Sequence, residues 1–336
     1  MKIKKKAYNR ASPIEKAVGL FMPFHCDSCL HKLRVSQENY GYGMVCPYCK
    51  VGVICPAPSF HAGEQVGPYL IDGWLAKGAM GEVYYGHSMK SERVVALKIL
   101  NTDIDSQYAF RLFEQEAYIM DHFEHECLPR LAGFNEYHNN YYLAMNYVEG
   151  EGLDTLLLRQ GSLDQVWVLD LIIRIADLLD HVWRKFGAIH RDIKPANIMA
   201  TEDDKIVLID WGLAHIYNHP IENDTDITFG TPEYICPVIV SGEYTPDYRT
   251  DIYSLGATCF HLVTGQFPFH SENAEEVIDL VLNDEVPCAH EVNEDVSPEF
   301  SKILMKMMQR HYDDRYQNWG SLVEDIEKVK MFISLS

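Results

Sequence analysis

Apolar and polar positions change period several times along this 336-residue chain. Lys32-Leu33-Arg34-Val35 predicts a short strand, and Gly41-Tyr42-Gly43 after it a turn. From Tyr69 the pattern is strand-like, and Val95-Ala96-Leu97-Lys98-Ile99 and Tyr141-Tyr142-Leu143-Ala144-Met145 read as buried strands. Between those two, Tyr108 to His122 carries Phe113, Ala117 and Met120 at helical spacing. Helical patterns dominate again from Ser162 to Lys185, and a last helix is expected near Phe332. Residues 50–67 are rich in Pro, Gly and Ala and predict a linker. No run of 18 or more apolar residues occurs, so no membrane helix is expected.

The length suggests about two domains. With 47% hydrophobic and 23% charged residues, the chain fits a globular protein with a sizeable core. Charge is unevenly spread: residues 1–50 carry a formal +6 and the remainder −26. An acidic bulk argues against non-specific nucleic-acid binding, which runs on phosphate neutralisation. It favours basic protein partners or docking of the chain's own basic arm, residues 1–22, although acidic surface also simply keeps a protein in solution. The opening MKIKKK looks like a signal-peptide n-region, but the apolar piece Ala17 to Met22 is too short and runs into Pro23. A cytoplasmic protein is therefore expected.

Four of the nine cysteines form two tight pairs, Cys26-Asp27-Ser28-Cys29 and Cys46-Pro47-Tyr48-Cys49, sixteen residues apart. Each pair supplies half a tetrahedron of thiolates, and two such turns close a four-sulfur cage for structural Zn2+. With a short hairpin between the pairs, residues 23–55 resemble a zinc ribbon. So small a segment would draw much of its stability from the metal. A redox or iron site and unrelated free thiols are the alternatives. Cys55 and His61 lie just beyond and are treated as spare, and Cys127, Cys236, Cys259 and Cys288 are scattered, as in a reducing compartment. Zinc ribbons recruit nucleic acid or protein, so a partner at this module is expected without its class being decided.

The densest chemistry lies in His190-Arg191-Asp192-Ile193-Lys194-Pro195-Ala196-Asn197, followed by Asp210-Trp211-Gly212. This sets a carboxylate, an ammonium, an amide and a second carboxylate in a fixed order, the groups that phosphoryl transfer from a metal-bound nucleotide requires. The segment resembles the catalytic and metal-binding loops of eukaryotic-like (Hanks-type) bacterial serine/threonine protein kinases. Gly78-Ala79-Met80-Gly81-Glu82-Val83-Tyr84 is similar to that family's glycine-rich loop, and Val95-Ala96-Leu97-Lys98 to its lysine-bearing strand. No G-K-[ST] follows the glycines, so this is not a Walker loop.

The resemblance implies an α+β, bilobal protein kinase fold over residues 68–332: a β-rich N-lobe at 68–146 and an α-rich C-lobe at 150–332. A small zinc ribbon precedes it, with 56–67 as linker. It implies ATP with Mg2+ or Mn2+, and protein substrates with Ser/Thr hydroxyls, the chain itself among them. Asp192 is expected to orient the attacking hydroxyl and Lys194 to hold the γ-phosphate. Asn197 and Asp210 are expected to bind the metal. Lys98 is expected to hold the α and β phosphates, paired with Glu116 rather than Glu114, which lies on another face of the helix. Leu75, Ala76, Gly78, Gly81, Val83 and Ala96 are expected around the nucleotide, Met145 as gatekeeper, and Asn146 and Val148 at the hinge. Three departures stand out. Ala76 replaces the first glycine of the loop, which predicts weaker ATP affinity, and Trp211 replaces the usual Phe. Val238 replaces the glutamate that pairs with a buried arginine matching Arg315, so Arg315 is expected to find another acid or reach solvent. Thr225 and Thr228 are candidates for autophosphorylation, with Arg191 as the partner of the phosphate. The alternative is an ATP-binding pseudokinase or scaffold, with the ribbon as recruitment module.

Overall fold

The computed structural model describes residues 21–26, 28, 32–36, 39–55, 57–78, 81–100, 106–217, 231–242 and 245–335. Thr225, Thr228, Cys29, Ala79 and Met80 lie outside them. The chain forms two units, Met1–Ala109 with Leu131–Tyr147, and Phe110–Arg130 with Val148–Ser336. The sequence pattern places residues 110–130 in the N-lobe. They group with the second unit because Ile119, Phe123, Cys127 and Leu128 are buried in its core.

The first unit opens with two small hairpins. β1 (Phe21–His25) pairs with β2 (Lys32–Ser36), and β3 (Gly43–Val45) with β4 (Gly52–Ile54). Cys26 follows β1, and Cys46 and Cys49 lie between β3 and β4, so the cysteines sit in the turns of two hairpins and not at either end of a single one. β1 begins two residues before the expected boundary at 23. A six-stranded antiparallel sheet follows: β5 (Gln65–Val66), β6 (Tyr69–Lys77), β7 (Gly81–Ser88), β8 (Val94–Leu100), β9 (Leu131–Tyr137) and β10 (Asn140–Asn146), in spatial order β5-β6-β7-β8-β10-β9. β-Branched and aromatic residues along β7, β8 and β10 suit a pleated surface with both faces covered. The expected linker is part of this sheet's packing: β5 pairs with β6, and Val66 and Cys55 are buried in the sheet's core.

The helix α1 (Ser106–His122) runs between β8 and β9. The second unit continues with β11 (Gly150–Gly152), α2 (Leu153–Gln160) and α3 (Gln165–Phe186). Asp164 caps α3 by accepting from the N–H groups of Val166 and Trp167. Val168, Leu171, Ile172, Ile175, Leu178, Leu179, Val182 and Phe186 form its buried stripe. Gly187 stops it at φ 61°, a left-handed conformation suited to glycine. β12 (Ala188–Ile189), β13 (Ile198–Thr201), β14 (Ile206–Leu208) and β15 (His215–Ile216) then frame the loops that matter for function. Beyond them come α4 (Pro237–Ser241), α5 (Tyr248–Thr264), α6 (Ala274–Asn283), α7 (Ala289–Val292), α8 (Pro298–Met307) and α9 (Trp319–Leu335). α5 is buried nearly all round, as a central core helix must be. No helix among the described residues is long and apolar enough to cross a membrane.

Candidate active site

In the second unit, two antiparallel pairings hold the His190–Asn197 loop. β12 pairs with β15, with Ile189 opposite His215, and β13 pairs with β14, with Ile198 opposite Leu208. The second pairing sets Asn197 beside the 209–211 turn, where the Ile209 N–H donates to the Asn197 carbonyl at 2.8 Å. From below, the buried Asp251 carboxylate of α5 accepts from the N–H groups of His190 and Arg191 at 2.8 and 3.0 Å. Burial pushes the Asp251 carboxyl up to about 6, against the pull of these two bonds. Thr258, two turns along α5, donates to the Ile193 carbonyl at 3.0 Å.

On this frame Asp192 is 8% exposed. Lys194 Nζ lies 3.0 and 2.7 Å from its two carboxylate oxygens, and Asn197 Nδ2 donates to its Oδ2 at 2.8 Å. Lys194 Nζ also donates to Thr231 Oγ1 at 3.0 Å, which ties the loop to the segment before Pro232. Burial raises the Asp192 carboxyl above its ordinary range, and Asp210 adds to that. Lys194 and Asn197 oppose it. Asp210 is exposed. Arg191 and Asp210 hold φ at 66° and 61°, conformations that cost non-glycine residues energy and cluster at functional sites. Trp211 is fully buried, donates Nε1–H to the Leu208 carbonyl at 3.1 Å and packs edge-on against His190 at 4.6 Å. A carboxylate such as that of Asp210 and a carboxamide oxygen such as that of Asn197 are donors that suit a hard cation such as Mg2+.

In the first unit, register decides which side chains share a face. Ala76 stands opposite Val83, Val83 opposite Lys98, and Lys98 opposite Leu143. Ala96 stands between Tyr85 and Met145. Residues directly opposite and two apart along a strand lie on one face, so Ala76, Val83, Ala96, Lys98 and Met145 form one patch. Leu75 falls where the β6–β7 register shifts, and Asn146 pairs with Val95 at the end of β10. The Gly78 N–H donates to the Gly81 carbonyl at 2.8 Å, closing the neck of the glycine-rich loop. A Cβ on Gly81 would stand 2.2 Å from the Ile99 carbonyl oxygen, so no side chain fits there. Glu116 of α1, which groups with the second unit, is fully buried, as a glutamate rarely is without a partner. Val148 belongs to the second unit.

Comparison with known proteins shows the family. The family model described as "Protein kinase domain" matches residues 69–326. The chain belongs to the protein kinase domain family. A probable serine/threonine-protein kinase of Clostridium perfringens is 29% identical over 257 residues, 76% of this chain and 37% of that protein. Serine/threonine-protein kinase PknD of Mycobacterium tuberculosis is 29% identical over 264 residues, 78% of this chain and 40% of its own length. PknH of Mycobacterium bovis is 29% identical over 267 residues, covering 79% and 44%. The chain thus spans about two fifths of the length of these curated relatives.

One feature of this kinase domain departs from expectation. Among the described residues Arg315 pairs with no acid, and it does not reach solvent; it is 2% exposed. Its guanidinium donates to the carbonyls of Gln309, Arg249 and Arg310 and to Cys236 Sγ, and lies 5.0 and 4.9 Å over the rings of Tyr253 and Tyr312. Carbonyl dipoles, a thiol and two π-faces take the place of the missing glutamate at Val238. The N-terminal cysteines precede this domain. Cys26 and Cys46 are fully buried, Cys26 and Cys49 sulfurs lie 3.7 Å apart, and the ligand atoms of Cys26, Cys46 and Cys49 all fall within 4.8 Å of one another. Three convergent thiols fit a thiophilic metal such as Zn2+. The Glu82 and Tyr84 contacts described below were missed in the sequence, which marks them only as alternate residues of a strand.

Proposed function

We propose that this chain is a serine/threonine protein kinase that transfers the γ-phosphate of ATP to Ser/Thr hydroxyls of protein substrates, itself included. The observation that carries this reading is the Asp192 carboxylate held between Lys194 and Asn197 on a loop braced by Asp251. Asp192 would orient the acceptor hydroxyl and take its proton, and its raised carboxyl suits that exchange. Lys194 would balance the charge of the transferring phosphate. Mg2+ or Mn2+, held by Asn197 and Asp210, would neutralise charge on the phosphate oxygens. Lys98, oriented by Glu116, would hold the α and β phosphates, with Leu75, Ala76, Gly78, Gly81, Val83, Ala96 and Met145 around the nucleotide and the backbone at Asn146 and Val148 against adenine. The pseudokinase reading loses one of its supports, since Arg315 has replacement partners for the acid that Val238 lacks.

The proposal extends to residues 21–55 as a zinc ribbon whose Zn2+ is bound by Cys26, Cys46, Cys49 and, from its spacing, Cys29. The ribbon would also serve as a docking point for a partner, and the acidic kinase domain is not expected to bind nucleic acid. A cytoplasmic location fits the reduced cysteines.

Incubation with radiolabelled Mg-ATP and a generic basic protein tests the activity. Label should appear on serine or threonine of the acceptor, and Asp192→Asn should reduce its rate of appearance by roughly 10²–10⁴. Nucleotide binding with no label in the wild-type protein would establish the pseudokinase instead.

A further inference from the structure

The six-stranded sheet has a second face, and the N-terminal residues cover it. Trp74, Tyr84, Leu97, Ile99, Tyr142 and Ala144 form a buried cluster there, closed by Cys55 and Val66 and packed against Tyr40, Met44 and Phe60. Tyr40 meets Trp74 edge-on at 5.1 Å, and Phe60 meets Tyr84 edge-on at 5.9 Å. β7 belongs to both faces: Val83 points to the Lys98 patch, while Glu82 and Tyr84 point to this one.

The polar contacts are concentrated on those two residues. The Ser59 N–H donates to Glu82 Oε2 at 2.8 Å and lies 3.1 Å from the Tyr84 hydroxyl oxygen, which also accepts from the Phe60 N–H at 3.1 Å. The Tyr84 hydroxyl in turn donates to Glu82 Oε2, and Lys77 Nζ reaches Glu82 Oε1 at 3.1 Å from the adjoining strand. Burial works against the Glu82 anion, but the bonds from Tyr84, Ser59 and Lys77 outweigh it and hold the carboxyl below its ordinary range. Glu82 is the residue after Gly81, so its anchorage fixes one end of the glycine-rich loop, and Lys77 lies beside the other end.

We propose that residues 57–61 are a strap that positions the glycine-rich loop through Glu82 and Tyr84, so that the N-terminal module sets the chain's affinity for nucleotide. This rests on the nucleotide-binding reading given above. Glu82 and Tyr84 are positioning residues, because they lie on the face opposite Val83 and Lys98 and act through the strand. A mere packing role would give variants that unfold at lower temperature but bind nucleotide normally once folded.

The test compares the full chain with Glu82→Ala, Glu82→Gln, Tyr84→Phe and Ser59→Pro, using fluorescent-nucleotide Kd, KM for ATP, kcat and the thermal midpoint. Glu82→Ala is expected to raise Kd and KM about tenfold, a factor equal to about 1.4 kcal/mol. kcat should change less than about twofold, because the altered contact holds substrate and transition state alike. Glu82→Gln keeps an acceptor for the Ser59 N–H and should restore most of the affinity. Tyr84→Phe loses the hydroxyl with little volume change and should weaken binding even where the midpoint is hardly moved. Ser59→Pro removes the donor, so adding Glu82→Ala to it should weaken binding less than the two single effects combined. Unchanged Kd in Glu82→Ala and Tyr84→Phe, or full additivity with Ser59→Pro, would overturn the strap. Wild-type protein that binds nucleotide without transferring phosphate would defeat the kinase reading and leave the Kd comparison decisive for the strap. Wild-type protein that binds no nucleotide defeats both.

Discussion

Asp192 shows why some residues can be read from sequence and others cannot. Its partners Lys194 and Asn197 are two and five positions away, so the hydrogen-bonded unit is written as one short motif. Asp192→Asn should lower the rate of transfer by roughly 10²–10⁴, the usual contribution of a positioned base, with nucleotide Kd little changed. Steady-state kinetics beside nucleotide titration would check both parts. Arg315 is the contrary case: its acceptors are mostly backbone carbonyls, which every residue has, so nothing in the sequence announces them. Since four of its donor contacts are made, Val238→Glu, which puts back the family's acid, should fail to stabilise the domain and should lower its urea midpoint, because a buried carboxylate needs donors of its own. His261 sets a pH limit. Burial, helped by His270, lowers its ring to about 4, and Nδ1 lies 2.7 Å from the Tyr234 hydroxyl. Below pH 6.5 the unfolded chain takes up a proton that the native ring refuses until about pH 4. The unfolded state binds more protons in that window, so this contribution to stability is complete above 6.5 and lost as pH falls toward 4. His261→Gln should flatten the fall in stability over that range, as measured by denaturant midpoints.

At the scale of elements, strands and helices with a clear period were legible and the segment between modules was not. Val95–Ile99 and Tyr141–Met145 lie within β8 and β10, and the helical reading of Tyr108–His122 falls within α1. Residues 57–66 look like a linker because Pro, Gly and Ala leave no periodic pattern. They are nevertheless ordered against the sheet through backbone N–H groups and single apolar contacts, which composition does not encode. At the N-terminus Lys32–Val35 was legible and lies within β2, but the pairing into two hairpins was hidden, because strands of three to five residues are too short for alternation to be distinctive. The cysteines stand out in the sequence because their spacing is the one that a thiolate metal site demands. Cys46→Ser should therefore abolish stoichiometric zinc in the purified protein, read by elemental analysis, while Cys127→Ser leaves it unchanged.

For the molecule as a whole, the N-terminal module and the nucleotide-binding sheet share one hydrophobic cluster, with Cys55 at 1% exposure inside it. If the proposed Zn2+ is bound in that module, stripping it with a strong chelator should lower the thermal midpoint of the full chain and also weaken nucleotide binding, two effects that a detached ribbon would not produce together. The central proposal is that Lys98 and Lys194 each hold phosphates of a metal-bound nucleotide, with Asp210 among the ligands of the metal. An acyl-phosphate derivative of ATP tests it most directly, because it acylates only amines lying beside the bound phosphates, and the modified lysines can be identified by mass spectrometry. Lys98 and Lys194 should both be labelled, both protected by excess Mg-ATP, and both labelled less in Asp210→Asn. Labelling of Lys98 that Mg-ATP does not suppress, or that is indifferent to Asp210→Asn, would contradict the account.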